Sequence, residues 1–390
     1  MNSQKNVLPL IVISQLFCTS LWFAGNAILD DLTSSLDLQE NALGYLTSTV
    51  QFGFITGTLI FALLSIADRF SPSKVFFTCA LLGALANLSI TWQGNTFLSI
   101  LILRFLTGFF LAGIYPVGMK IAADYYNKGL GKSLGFLVGA LVIGTALPHL
   151  LKGVKGDYSW EIVLIITSSL ALLGGLLILY FVPNGPYRTP NNKLDIYAIL
   201  KIFKVKPFRS SAFGYFGHMW ELYTFWAFVP VILQYYTKMH PETFFNIPLL
   251  SFIIIGVGGI SCVLGGYLAQ KVGTKKIASI SLSLSVLCCL ISPVLFFSNS
   301  QYLFVLFLIF WGMVVIADSP LLSTLVAQNA PPKFKGTALT IVNSVGFAIT
   351  IVSIQLTTFL REVSDTPVIL IVLVIGPILG LISLRNKKAY

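Results

Sequence analysis

Charge is scarce in this chain. Asp, Glu, Lys and Arg together make up 10% of its 390 residues, against about 25% in a soluble domain. That shortage, beside an apolar content of 56%, excludes an ordinary soluble protein and leaves a polytopic membrane protein. Acids are rarer than bases, 14 against 25. The resulting +11 gathers into no basic stripe with interleaved aromatics, so nucleic acid is not an expected partner. Cysteine is also rare, and Cys18, Cys79, Cys262, Cys288 and Cys289 all fall inside apolar runs. This excludes a disulfide framework and a zinc site, so no metal and no cofactor is expected. No Ser-His-Asp order, Cys-His pair or phosphate loop points to an enzyme, and no soluble sensor domain is present. Those readings survive only as minor alternatives. Lys5 before an apolar run resembles a signal peptide. No small-residue cleavage site closes that run, so it reads as a retained first helix.

What the chain does have is apolar runs of about 20 residues, the length that crosses a bilayer. Twelve are expected, near 8–30, 41–65, 75–93, 97–122, 132–152, 159–182, 210–237, 247–269, 277–297, 302–326, 337–360 and 367–384. Residues 183–209 interrupt them with four prolines and six cations, Arg188, Lys193, Lys201, Lys204, Lys206 and Arg209. Each cation at bilayer depth would cost roughly 2.5–3.5 kcal/mol, so this stretch lies outside the hydrocarbon. The expected architecture is an all-α membrane protein: a six-helix bundle over 1–182, a basic linker over 183–209 and a second six-helix bundle over 210–390. The termini and the even-numbered loops hold 19 Lys and Arg residues and the opposite loops four, Lys152, Lys155, Lys238 and Arg361. The positive-inside rule then places both termini and the linker in the cytoplasm, with the chain in the cytoplasmic membrane.

The two halves repeat. LLSIADRFSPSKV after span 2 aligns with GGYLAQKVGTKKI after span 8, and GKSLG (131–135) with GTALT (336–340). GYLAQKVGTKK resembles the loop motif of the major facilitator superfamily, with Gly266 and Gly273 as its glycines and Gln270 in its acidic place. The first copy keeps Asp68 and Arg69 but has Leu64 and Ser71 for the glycines. Arg104 and Gly108 in span 4 resemble the family's second motif. RFLTGFFLAG and YPVGMKIAADYY are loosely similar to the nitrate and cyanate porter branch, without its glycine-asparagine-rich nitrate signature. Span 5 lacks the glycine-proline pair of the drug/proton antiporters. The resemblance implies alternating access between two pseudo-symmetric bundles, with helices 1, 4, 7 and 10 lining a central site. It also implies that the loop residues Asp68, Arg69, Lys74, Gln270 and Lys271 gate the halves. The bland reading of those charges is a tight turn placed for topology.

Polar residues at depth are the other candidates, because an ionisable group inside a span is functional by default. Arg104 lies about 12 Å into span 4, with Tyr115 on the same face. It reads as an anion or coupling site, or else as a structural bond to neighbouring carbonyls. Lys120 is expected to snorkel to the interface. His218 and Glu221, three residues apart, share a face of span 7 and can share a proton; Asp318 in span 10 joins them as a proton-coupling candidate, shallow enough to reach water. Gln15, Thr19, Trp22 and Asn26 form one stripe of span 1. With Gln51, Arg104, Tyr115, Trp311 and Asn343 they are the candidate substrate contacts, although an interhelical hydrogen bond is the plainer role for each amide. The expected function is secondary transport of a small polar or anionic solute by proton symport, by a monomer in the lipid bilayer. The alternative is a proton antiporter exporting an amphipathic compound.

Overall fold

A bilayer supplies no water to backbone N–H and C=O groups, and a helix satisfies them within one segment. The apolar runs therefore fold as helices. A computed structural model describes residues 7–36, 38, 41–126, 130–154, 159–188, 198–331, 334–364 and 366–385. Among these there is no strand. Lys5, Lys128, Lys155, Lys193, Lys333, Lys387 and Lys388, used above for topology, lie outside the described residues. The chain forms two compact units, Met1–Leu194 and Asp195–Tyr390, with six spans in each.

Unit 1 contains α1 (Val7–Thr19), α2 (Ala24–Ala27), α3 (Leu29–Leu36), α4 (Ala42–Leu63), α5 (Ile66–Arg69), α6 (Pro72–Leu88), α7 (Phe97–Leu111), α8 (Tyr115–Tyr125), α9 (Leu130–Val154) and α10 (Glu161–Phe181). Unit 2 contains α11 (Ala198–Lys204), α12 (Lys206–Met239), α13 (Ile247–Val272), α14 (Thr274–Phe296), α15 (Gln301–Ala317), α16 (Ser319–Asn329), α17 (Lys335–Val363), a 3₁₀ segment (Pro367–Val374) and α18 (Ile375–Arg385). The packing partners repeat. α4 lies on α7 as α13 lies on α15; α6 lies on α10 as α14 lies on α18. α1 lies on α9 and α10 as α12 lies on α17 and α18.

Among the described residues, ten helical segments are long and apolar enough to cross a membrane. The other two spans open the two units, and each departs from a plain apolar helix. The first was expected to be continuous over 8–30. It stops at Thr19 and resumes at Ala24. Its hydroxyls turn back on their own helix there, Thr19 Oγ1 donating to Gln15 O at 2.8 Å and Ser20 Oγ to Phe17 O at 2.6 Å, a bonding pattern that competes with the helical ladder. The seventh span, α12, runs 34 residues and starts at Lys206, inside the stretch expected as linker. Pro207 in its first turn needs no N–H partner, which suits a helix start.

Spans 4 and 10 are also broken where continuity was expected. Pro116 stands just after the start of α8 and Pro320 just after the start of α16. Each removes an N–H and crowds the carbonyl four residues earlier, so the preceding helix ends. The two prolines are 204 residues apart in sequence. So are Gly108 and Gly312, and so are their packing partners Val50 and Ile254. A methyl group on Gly108 would overlap the Val50 carbonyl oxygen, and one on Gly312 the Ile254 carbonyl oxygen. Only glycine permits that approach of one helix backbone to the next.

Candidate functional site

The break in span 1 leaves backbone carbonyls without the N–H partners that a continuous helix would give them. Arg104, on α7 and fully buried, takes them up. Its Nη1 donates to Leu21 O at 3.0 Å and, more weakly, to Asn87 Oδ1 at 3.4 Å; its Nη2 donates to Trp22 O. Asn87 in turn donates to Ser168 Oγ at 3.0 Å and Thr167 Oγ1 at 3.2 Å on α10. The expected anion-binding arginine is thus a cap on a broken helix, and the plainer of its two readings describes its bonds.

The break also scatters the stripe expected on span 1. The Gln15 amide lies against Gly118 of α8, Thr19 lies against Gly144 of α9, and Trp22 packs on Phe54 with ring centroids 4.8 Å apart. Asn26 donates to Thr47 Oγ1 at 2.7 Å. Thr47, Gln51, Phe54 and Thr58 follow one another at helical spacing along α4. Gln51 and Thr58 are buried, and neither the Gln51 amide nor the Thr58 hydroxyl has a partner among the described residues. The Gln15 amide is buried in the same condition. Tyr115, which opens α8, and Asn343 in α17 are half-buried.

In unit 2 the structure brings His218, Glu221, Trp311 and Asp318 together. Both carboxyl groups and the imidazole are buried, Asp318 to 1% exposure, so it does not reach water as its position had suggested. The expected His218–Glu221 pair is replaced by two neighbouring sets. His218 Nδ1 lies 2.8 Å from Asp318 Oδ1, at the joint between α15 and α16. Glu221 receives three neutral donors. Trp311 Nε1 stands 2.7 Å and Cys289 Sγ 3.3 Å from its Oε1, and Ser285 Oγ stands 2.7 Å from each carboxyl oxygen. Residues three apart on a helix point some 60° from one another, enough to send the imidazole toward span 10 and the carboxyl toward α14. Trp311, a candidate for stacking on substrate, is held by Glu221 and by Phe225, whose ring centroid is 4.6 Å away. Ser285 and Cys289 were not singled out from the sequence. They belong to a stripe of small polar groups on α14, Ser281, Ser285, Cys288, Cys289 and Ser292, all buried, and that spacing was the available signal.

The loop after span 2 carries a third polar cluster, inside unit 1. Asp68 on α5 pairs with Lys120 Nζ at 2.8 Å, and Lys120 lies 3.9 Å from Asp124. Lys120, expected to snorkel to the interface, is partly exposed and is the partner of Asp68. The start of the linker is bonded to the same cluster. Arg188 Nη2 donates to Asp68 O at 2.8 Å and Phe70 O at 2.9 Å, Tyr187 N to Asp124 O at 3.0 Å, and Tyr125 OH to Pro183 O at 2.6 Å. Arg69 and Lys74 are exposed, as are Gln270 and Lys271 in the second copy.

Comparison with known proteins agrees with this architecture. Residues 10–354 match the family model of the Major Facilitator Superfamily. An uncharacterized transporter of Buchnera aphidicola subsp. Schizaphis graminum is 24% identical over 301 residues, 76% of this chain and 70% of the relative. The inner membrane transport protein YnfM of Escherichia coli is 27% identical over 163 residues, 40% of this chain and 38% of the relative. The crystal structure of a D-xylose-proton symporter superposes with a TM-score of 0.78 at 15% identity, covering 97% of this chain and 96% of that one. With one family model spanning spans 1 to 11, the chain belongs to the Major Facilitator Superfamily and is a membrane transporter rather than an enzyme.

Proposed function

We propose that the protein is a proton-coupled symporter of a small polar solute, working by alternating access. One observation carries the coupling: two carboxyl groups and an imidazole are buried together within membrane spans, and the bonds Glu221 receives come from neutral groups. An ionised carboxylate in such surroundings is expensive unless a cation or a proton neutralises it. Proton uptake is therefore a chemical use for Glu221, with the His218–Asp318 pair one turn away as a relay. In this reading the solute contacts of unit 1 are the open polar groups Gln51, Thr58 and Gln15, with Trp22, Asn26 and Tyr115; those of unit 2 are Trp311 and Asn343. The engagement of Arg104 by main-chain carbonyls makes a neutral polar solute a better fit than an anion.

The proposal extends to the rest of the chain. The two bundles are joined by a cytoplasmic linker that ends where α12 begins at Lys206, and the Asp68–Lys120 pair is the part of the loop that must loosen when the conformation changes. Both termini are cytoplasmic; activity of a periplasm-dependent reporter fused after Tyr390 would overturn that orientation. The coupling is tested in proteoliposomes loaded with a pH-sensitive dye and offered a panel of small polar and anionic solutes. A substrate is expected to carry protons inward with it. Glu221→Gln is expected to bind that solute and lose the proton movement. Protons moving opposite to solute would mean antiport, and unchanged proton movement in Glu221→Gln would remove Glu221 from the mechanism.

A further inference from the structure

We propose that Ser285 is the positioning residue that lets Glu221 gain and lose a proton on Oε2 without losing a hydrogen bond. The inference rests on the proton-coupled reading above. It starts from an inequality between the two carboxyl oxygens. Ser285 Oγ stands 2.7 Å from both Oε1 and Oε2. Oε1 also receives the Trp311 indole N–H at 2.7 Å and the Cys289 thiol at 3.3 Å, which suffice for its two lone pairs. For Oε2 the hydrogen-bond partner is the Ser285 hydroxyl. A hydroxyl, unlike the indole or a thiol in that place, is both a good donor and a good acceptor.

The proton balance then follows. With Glu221 ionised, the Ser285 hydroxyl donates to Oε2. When a proton arrives, the Oε2–H bond forms and the carboxyl becomes the donor, with Ser285 Oγ accepting. The serine hydrogen is released to turn toward the carbonyl one helical turn earlier, the bond that Ser283 already makes to Ser279 O at 2.8 Å. Release reverses each step, no electrons move, and no buried polar atom is stranded in either state. Trp311 and Cys289 keep Oε1 fixed throughout, so the charge changes while the carboxyl stays in place.

The titratable groups around Glu221 are Cys289 and Cys288 on α14, Asp318 between α15 and α16, and His218 on α12 itself. α13 brings Cys262 within its length and Lys271 at its end. α11, α17 and α18 carry their charged residues, Lys201, Lys204, Lys335, Arg361, Glu362 and Arg385, at or near their ends. None of these shares the hydroxyl of Ser285, so the serine can be tested separately.

The test reads protons directly and needs no substrate. Purified protein is titrated from acid to alkaline pH while infrared difference spectra follow the C=O band of a protonated carboxyl. The wild type is expected to show a band that Glu221→Gln removes. Ser285→Ala is expected to keep the band, move its frequency as the acceptor is lost, and raise its titration midpoint by less than about one pH unit, because the bond lost from the ionised form is stronger than the one lost from the protonated form. Ser285→Thr is expected to restore both. If Ser285→Ala folds poorly, Ser285→Cys, with a weakly bonding thiol, is expected to show the same displacement at smaller size. A band that survives in Glu221→Gln would defeat the coupling reading itself. A band that Glu221→Gln removes but that Ser285→Ala and Ser285→Cys leave at the wild-type frequency and midpoint would overturn the role of Ser285 alone.

Discussion

If Arg104 is the cap of a broken helix, its replacements should be ranked by geometry and not by charge. The guanidinium forks across two consecutive main-chain carbonyls, Leu21 O and Trp22 O. Hydrogen bonds from a charged donor contribute about 1.5–3 kcal/mol each, so removing both exposes unit 1 to a loss of about 3–6 kcal/mol. Arg104→Leu also removes a buried cation, whose desolvation opposes folding by several kcal/mol, so its net loss should be nearer 2–3 kcal/mol. Arg104→Lys keeps the buried charge, and an ammonium group cannot reproduce the planar fork. It is expected to be no more stable than Arg104→Leu. For a unit of 194 residues a loss of that size lowers the midpoint by roughly 5–10 °C. The assay is thermal unfolding of the detergent-solubilised protein, followed by tryptophan fluorescence, to which Trp22 beside the break contributes. Unfolding of Arg104→Leu at the wild-type temperature would refute the cap. So would a lysine variant of wild-type stability that keeps binding of an anionic solute lost from the leucine variant.

Asp68→Asn should slow transport of the solute found in the panel more than it weakens its binding. The partly exposed Asp68–Lys120 pair adds no more than about 1 kcal/mol to stability, and in the proposed latch role it breaks in each cycle; equal losses of rate and binding would argue against a latch. Gly108→Ala and Gly312→Ala should destabilise their units alike, by about 1–3 kcal/mol in thermal unfolding. Gly266→Ala, where a methyl group meets nothing within 4 Å, should be neutral or slightly stabilising.

The spans were legible because their signal is long and additive: about 20 apolar residues outweigh any single exception. The interruptions inside them were not. Pro116 and Pro320 are breakers visible in the sequence, each standing in an apolar run long enough to mask it. The break at 20–23 has no proline, and the carbonyls it frees are taken up by Arg104 of another helix, a contact that composition does not reveal. At the site, His218, Glu221 and Asp318 stood out because charge in a span is rare. Their true partners did not, since Ser285 and Cys289 are ordinary residues whose meaning depends on which helix lies opposite. The pairing of Lys120 was hidden for the same reason: the route to Asp68 is a contact between α5 and α8, which no local spacing encodes.

The 204-residue register joining Val50, Gly108 and Pro116 to Ile254, Gly312 and Pro320 has a historical meaning. Two copies of an ancestral segment have kept the crossing of their second and fourth helices and the kink that follows it, while the chemistry between those marks has drifted apart. Arg104 has Leu308 in the same register, and Asp318 has Ile114. Duplication supplied the scaffold twice; the helix cap arose or survived in one copy and the acidic centre in the other. The ancestor's frame can therefore be exchanged between the halves more readily than its charges. A chimaera that repeats unit 1 in both positions should still insert and pack, and should have Phe17 and Ile114 where Glu221 and Asp318 stand, with no carboxyl at either place to carry a proton.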